Sequence, residues 1–281
     1  MTYLRNAENI VRARHGEALS EEQLRRVVPA IFAEEPHASR SDRYVYIPTI
    51  RIVEGMDRAG FSIVEARQGR VRDKSRREFT KHMLRFRRKD VDARVGDTYP
   101  EAVLINSHDG TSAYRLLAGL IKLICLNGLV VADGPSSEVH VRHSGKIIEG
   151  VIEGSNAVLE HATNMLEKPK AWSQIILNPR QRNAFAEAAH VVRFGDEDGN
   201  VDTPITPAQL LAPRRIADDK PDLWSTFNVI QENTIRGGLH GTRMNTGRPR
   251  RMSTRPINGI DQDVKLNRAL WVLAEKMAQA A

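Results

Sequence analysis

The stretch FSIVEARQGRVRDKSRREFTKHMLRFRRK, residues 61–89, decides how this chain is read. Taken as extended backbone, its second half TKHMLRFRRK (80–89) alternates between faces with a period of two. Lys81, Arg85, Arg87 and Lys89 then share one face with Met83, while His82, Leu84 and Phe86 share the other. The first face is expected to meet phosphate and the second the core. The first half, FSIVEARQGRVR (61–72), starts apolar and becomes basic through Arg67, Arg70 and Arg72, with Gly69 near its middle. Between the halves lies DKSRRE (73–78), a polar turn carrying Lys74, Arg76 and Arg77. The pattern predicts a long antiparallel hairpin with a basic tip and one basic face. A helix over 76–88 also fits, because Phe79, Met83 and Phe86 fall at helical spacing and periodicity alone does not separate the two.

Charge sharpens the reading. Residues 67–94 hold twelve Lys or Arg against Asp73, Glu78, Asp90 and Asp92, a local charge of +8, whereas all 281 residues sum to +7. The positive charge is therefore concentrated, and with a pI of about 9.7 it is the footprint of a nucleic-acid binder, since Lys and Arg displace condensed counterions from phosphates. The plain alternative is a solvated basic surface. An aromatic content of 5% argues against a surface built on many stacked bases and for one that contacts phosphate.

Working outward, the fold class expected is α+β, an antiparallel sheet with the long basic hairpin packed on a helix (a β-β-β-α core), followed by a mainly helical C-terminal part. The domains expected are an N-terminal helical segment (1–42), an α+β nucleic-acid-binding core (43–170) and a helical region (171–281). Roughly the first ~30 residues read as helical, with Ser20 a plausible N-cap. AEEPHASRSDRYVYIPT (33–49) reads as a loop leading into a short strand at 44–47, and residues 50–56 as a helix ending near Gly60. EAVLIN (101–106) reads as a strand. In NSHDGTSAYRLLAGLIKLICLNGLVV (106–131), Thr111 or Ser112 could cap a helix whose buried stripe is Ala113, Leu116, Leu117, Leu120 and Ile124, stopped by Asn127 and Gly128. Arg115 and Lys122 would lie on its opposite face and add to a basic groove. A strand at 139–142 and a long helix at 146–168 follow, then helices at 179–194, 206–211, 221–236 and 261–281. The segment 236–256, RGGLHGTRMNTGRPRRMSTRP, has six Arg and no acid. It reads as a mobile loop that could order against phosphate through Arg243, Arg248, Arg250 and Arg251, or as a tolerated solvent loop.

Candidate chemistry is sparse. His108 and Asp109 form an HD dipeptide that invites a metal-dependent hydrolase, but His82, His140, His143, His161 and His240 stand at no recognisable ligand spacing from it. The structural reading makes 106–110 a strand-to-helix turn in which Asp109 supports the helix start, where exposed N–H groups could still accept phosphate. Phosphate-binding loops of the G-x-x-x-x-G-K-[ST] and G-x-G-x-x-G kinds are missing, and no nucleophilic triad is specified. Cys125, the one cysteine, lies in the apolar run 120–131 and reads as a buried core residue. No cofactor, no metal and no enzymatic activity are expected. The charged N-terminus and the lack of an apolar stretch near ~20 residues predict a cytoplasmic protein that makes no membrane contact.

Three segments resemble a bacterial domain-of-unknown-function family of phage- and plasmid-like proteins: RYVYIPT (43–49), INSHDGTSAYRLLAGLIKLICLNGLVV (105–131) and LNRALWVLAEK (266–276). The resemblance implies a setting on mobile elements and prophages, with no assigned catalytic residues. More distantly, the order of elements and the basic hairpin resemble single-strand annealing proteins of the Rad fifty-two superfamily. That resemblance implies a homo-oligomer, such as a ring, holding single-stranded DNA in a basic groove with its bases exposed. The activity expected is ATP-independent single-stranded DNA binding and strand annealing in phage or plasmid recombination. The nucleic-acid-binding residues would be Arg67, Arg70, Arg72, Lys74, Arg76, Arg77, Lys81, Arg85, Arg87, Lys89, Arg115, Lys122, Arg243, Arg248, Arg250 and Arg251. The alternatives are a metal-dependent nuclease or hydrolase centred on His108 and Asp109, and a mobile-element protein that binds a host defence protein.

Overall fold

Strand β1 (Ile10–Arg12) pairs antiparallel with β2 (Phe61–Gln68), and between them the chain forms α1 (Glu21–Val27) and α2 (Thr49–Arg58). The computed structural model describes residues 9–13, 17–35, 48–71, 73–90, 93–108, 114–122, 127–130, 138–141, 147–245 and 248–281. Helix α1 begins as its sequence predicts. The Ser20 hydroxyl accepts from the Gln23 N–H, and the Gln23 side chain accepts from the Ser20 N–H, a capping box. Helix α2 gives way to Gly60, whose φ of 86° suits the left-handed turn that leads into β2. The expectation of helix over the first ~30 residues is corrected by β1, and the strand expected at 44–47 lies outside the described residues.

From β2 the chain runs as an antiparallel meander through β3 (His82–Arg88), β4 (Thr98–Asn106) and β5 (Tyr114–Lys122). After β6 (Asn127–Val130), strand β7 (Glu138–Val141) pairs back onto β5. The predicted hairpin is β2–β3, with a 3-10 turn at Lys74–Phe79 in its tip. One face of the sheet carries Ala66, Leu84, Phe86, Ala102, Leu104, Leu116 and Ala118, all buried. Helix α3 (Ile147–Asn164) packs against β4, β5 and β7. It comes so close that a Cβ at Gly154 would stand 2.7 Å from Leu116 Cδ1. The α+β class with an antiparallel sheet and a helical C-terminal part is as the sequence indicates. Over Tyr114–Lys122 the helix expected from Ser112 onward is instead β5, and its ends at 111–113 and 123–126 lie outside the described residues. YRLLAGLIK is buried at all but its two cationic positions, Arg115 and Lys122. A strand covered on both faces is apolar without interruption, so it also satisfies a helical stripe. Helix α3 takes the packing role assigned to that segment.

The chain divides into two compact units, Met1–Leu123 with Asp133–Asn164, and Ile124–Ala132 with Met165–Ala281. The second contains α4 (Glu167–Trp172), α5 (Pro179–Phe194), α6 (Pro207–Leu210), α7 (Leu223–Arg236), strands β8 (His240–Asn245) and β9 (Arg248–Ser253), and α8 (Ile260–Ala280). The predicted helices at 179–194, 206–211, 221–236 and 261–281 correspond to α5, α6, α7 and α8. Asn178 and Gln181 form a second capping box at the start of α5. All three tryptophans meet in the core of this unit: Trp172 packs on Trp271 with ring centroids 4.7 Å apart, and Trp224 stacks on Phe227 at 5.6 Å. Helix α7 is buried nearly throughout, and three of its polar side chains are paired inside. Gln231 donates to Asn267 (2.6 Å), Asn233 donates to the Leu210 carbonyl (3.0 Å), and Glu232 accepts from Arg215 and Arg236.

The other face of the first sheet combines buried Met83, Val103, Ile105 and Leu117 with buried charge. Glu65, directly opposite both Arg12 and Arg85 in the register, accepts from Arg12 Nε at 2.7 Å and from Arg67 Nη2 at 3.1 Å. Glu101 accepts from Arg85 Nη1 at 3.1 Å and from Arg87 Nη2 at 2.8 Å. The Arg85 and Glu101 side chains are 1% and 0% exposed, so water screens this pair little. Arg87 also lies over the Tyr99 ring, 4.7 Å from its centroid. Burial pushes the Glu65 carboxyl upward, but Arg12, Arg67 and Arg85 more than reverse it and bring its pKa down to about 2.

Two outcomes follow. Replacing Arg85 by Ala leaves a buried carboxylate short of a partner and is expected to lower the unfolding free energy by about 3–5 kcal/mol, read by urea denaturation with far-UV circular dichroism; a loss under about 1 kcal/mol would show that the pair does not carry the sheet. Because the folded pKa of Glu65 is depressed from 4.5 to about 2, its contribution is full above pH 4.5 and disappears as pH falls towards 2. The shift corresponds to roughly 3 kcal/mol at about 1.4 kcal/mol per unit. Glu65→Gln should flatten that part of the acid dependence while lowering stability at pH 7.

Candidate nucleic-acid interface

The sheet disposes of much of the charge that the sequence assigned to phosphate. Arg85 and Arg87 face Glu101, and Arg67 faces Glu65 inside the sheet. Lys89 donates to Asp57 at 2.7 Å, Lys81 is half-buried, and Arg115 donates to Glu138 at 2.7 Å, with Lys122 half-buried on the same strand. The expectation that Lys81, Arg85, Arg87 and Lys89 form an open phosphate-binding face is thus corrected at Arg85 and Arg87, which Glu101 takes up, while Lys89 stays exposed beside Asp57. The acids that meet Arg85 and Arg87 come from neighbouring strands, and Glu65 and Glu101 stand just outside the basic segment 67–94. A charge count along the chain does not see across a sheet.

What the hairpin keeps open is its tip. Asp73 Oδ1 accepts from the Ser75 N–H at 2.9 Å and caps the 3-10 turn, while Gln68 Nε2 and Thr80 Oγ1 both donate to the Arg77 carbonyl, at 2.8 and 2.9 Å. These bonds fix the backbone and leave the Arg70, Arg76 and Arg77 side chains exposed. Arg72 and the Lys74 side chain lie outside the described residues.

The larger basic surface is the segment expected to be a loop. Residues 240–245 and 248–253 form a two-stranded antiparallel ribbon, β8 with β9, in which Arg243 stands opposite Arg250, Thr242 opposite Arg251 and Asn245 opposite Arg248. Its root is firmly tied. Gly237, with φ 67°, ends α7 where a Cβ would come within 2.7 Å of the Arg255 carbonyl carbon. The Gly238 N–H donates to the Thr254 carbonyl at 2.8 Å, and the Thr254 N–H donates to the Leu239 carbonyl at 2.9 Å. Arg193 donates to the Thr234 and Arg255 carbonyls, Arg214 to the Gly237 carbonyl, and Gln209 to the His240 carbonyl at 2.7 Å. Beyond the root, β9 is exposed at all six positions, including Arg248, Arg250 and Arg251. Arg243 is held by the carbonyl and carboxylate of Asp202. A ribbon of arginines on a fixed root can meet phosphate without first ordering its backbone.

His108 has a different neighbourhood from the one its sequence suggests. It meets His82 with ring centroids 5.1 Å apart, and both Nε2 atoms lie at Thr49 Oγ1, at 2.9 Å from His82 and 3.2 Å from His108. His82 Nδ1 is 3.1 Å from the Thr80 carbonyl, which fixes the proton there and makes its Nε2 the acceptor of the Thr49 hydroxyl. The Thr49 oxygen in turn accepts from Asn106 Nδ2 and from His108 Nε2. All four side chains are fully buried. This hub ties the first residue of α2 to β3 and to the end of β4, a role that sequence spacing did not reveal because 33 and 59 residues separate Thr49 from its histidines. The predicted turn from a strand to a helix is corrected, since the next described element is strand β5; Asp109 itself lies outside the described residues. Among the described residues no three His, Cys, Asp or Glu side chains converge as a metal site would require.

Comparison with known proteins fixes the relationship. Two proteins of Escherichia coli (strain K12), UPF0380 protein YafZ and UPF0380 protein YfjQ, are each 46% identical to the chain over 271 residues, which is 96% of this chain and 95% of each relative. No solved structure matches. The resemblance to single-strand annealing proteins of the Rad fifty-two superfamily receives no support from these relatives. Residues 36–271 match the model of a domain of unknown function, DUF932, and the chain belongs to that family.

Proposed function

We propose that the protein binds single-stranded DNA through its phosphate backbone and anneals complementary strands without a nucleotide. The observation that carries this reading is the β8–β9 ribbon, where Arg248, Arg250 and Arg251 are exposed within a segment that has six Arg and no acid. Cations held on a fixed root release counterions from phosphate and favour binding in a sequence-independent way. The segment 236–256 also lacks Phe, Tyr and Trp. It offers bases no Phe, Tyr or Trp to stack on, which favours their staying free to pair. Annealing needs two strands near one another, and self-association, which would bring two ribbons into one particle, is part of the proposal. The exposed tip of Arg70, Arg76 and Arg77 is a second phosphate contact in the first unit.

The hydrolase alternative loses ground because His108 is sealed inside the Thr49 hub. A protein partner with an acidic surface would meet the same ribbon, and the test separates the two. Binding of a fluorescent single-stranded oligonucleotide is measured over a range of salt for the wild type and for Arg248→Ala/Arg250→Ala/Arg251→Ala, with tryptophan fluorescence checking that the second unit stays folded. At about 0.7 per single-strand phosphate, and with the two arginines of one face on the strand, the triple variant should reduce the log–log salt slope by about 1.4. It should also slow pairing of added complementary strands. An unchanged affinity and slope in the variant removes the ribbon from the interface, and no binding by the wild type turns the search to acidic protein partners.

A further inference from the structure

We infer that the ribbon formed by β8 and β9 seats in the major groove of duplex DNA, so that the protein grips the product of pairing as well as its single strands; this rests on the nucleic-acid reading above. The argument comes from how the ribbon distributes its charge. Successive residues of a strand point to opposite faces. Arg248 and Arg250 therefore project from one face of β9, together with Met252, and Arg251 projects from the other. In the register, Arg243 shares the face of Arg250, and Thr242 shares that of Arg251. A single strand lying along the ribbon can use only one face. A ribbon seated edge-on in a groove turns one face to each of the two phosphate backbones that border it, and so uses both.

Dimensions agree. The ribbon is two strands wide, and its six residues per strand reach about 20 Å at roughly 3.3 Å per residue. The major groove, about 12 Å wide, admits a two-stranded ribbon, whereas the minor groove, at about 6 Å, does not without distortion. Chemistry agrees as well. Arginine is suited to the O6 and N7 acceptors of guanine, and the exposed Met244 and Met252 side chains, 66% and 40% accessible, offer apolar contact to thymine methyl groups. The fixed root, tied through Arg193, Arg214 and Gln209, lets the ribbon enter a groove as a preformed blade.

Dimethyl sulfate distinguishes the modes, because it methylates guanine N7 in the major groove and adenine N3 in the minor groove. The experiment compares the full-length wild type, Arg250→Ala and Arg251→Ala on a mixed-sequence blunt duplex and on one of its strands. The wild type is expected to bind the duplex and protect guanine N7. Each single substitution, one on either face, should weaken duplex binding by about fivefold to tenfold near 0.1 M salt, the worth of one phosphate contact. Binding to the single strand without the duplex overturns the groove and leaves the proposed function standing. Duplex binding that protects adenine N3 or neither position also overturns it. So does a duplex affinity that responds to Arg250→Ala and ignores Arg251→Ala, which would mean that only one face is used. Failure of the wild type to bind either probe ends both readings.

Discussion

The buried carboxylates Glu65 and Glu101 are the constraint on which the first unit depends. Glu65 holds Arg12 of β1 and Arg67 of its own strand, Glu101 holds Arg85 and Arg87 of β3, and together they pair with a row of guanidinium groups that runs from β1 across β2 to β3. A sheet whose one face is apolar against α3 could have left the other to solvent. Here that second face is buried as well, with ion pairs set beside the apolar side chains of Met83, Val103, Ile105 and Leu117. Taking charge out of water is costly unless every charge finds a partner, so the register of β2, β3 and β4 is set by charge as well as by apolar packing. A slip of one residue would place Arg85 and Glu101 on opposite faces.

This constraint also decides where function can reside. Arginines committed to buried carboxylates are poor phosphate ligands, because releasing them would strand Glu65 or Glu101 inside. The accessible positive charge sits elsewhere, on the capped hairpin tip and above all on the β8–β9 ribbon. The ribbon's root is tied through Arg193 on α5 and through Arg214, which also donates at 2.8 Å to Asn233 of α7, the helix that carries Trp224 and Phe227. The arginines thus divide in two: those between strands hold the sheet, and those on β9 face outward.

Local signals were legible in the sequence. Ser20 with Gln23, Asn178 with Gln181 and Gly60 each mark the helix end that their chemistry predicts, and the alternation in 80–89 correctly indicates a strand paired with 61–68. Signals that depend on distant partners were not. YRLLAGLIK is apolar along its length because it is covered on both faces, and such a run fits a helix as well as a strand. Glu65 and Glu101 became partners of Arg85 and Arg87 only once the strands were paired. The ribbon escaped notice because it has no buried face: without an apolar stripe, Arg, Gly and Pro read as loop. The meeting of His82 and His108 at Thr49 likewise required the fold, since no spacing along the chain announces it.

The central claim is that nucleic acid touches the ribbon and not the arginine face of β3. The most direct measurement is ultraviolet crosslinking of a single-stranded oligonucleotide carrying 4-thiothymidine, with the attached peptides identified by mass spectrometry. The account predicts attachment within residues 240–253. Attachment within 82–88, with the ribbon unlabelled, would contradict it and would mean that the buried ion pairs open to receive the strand.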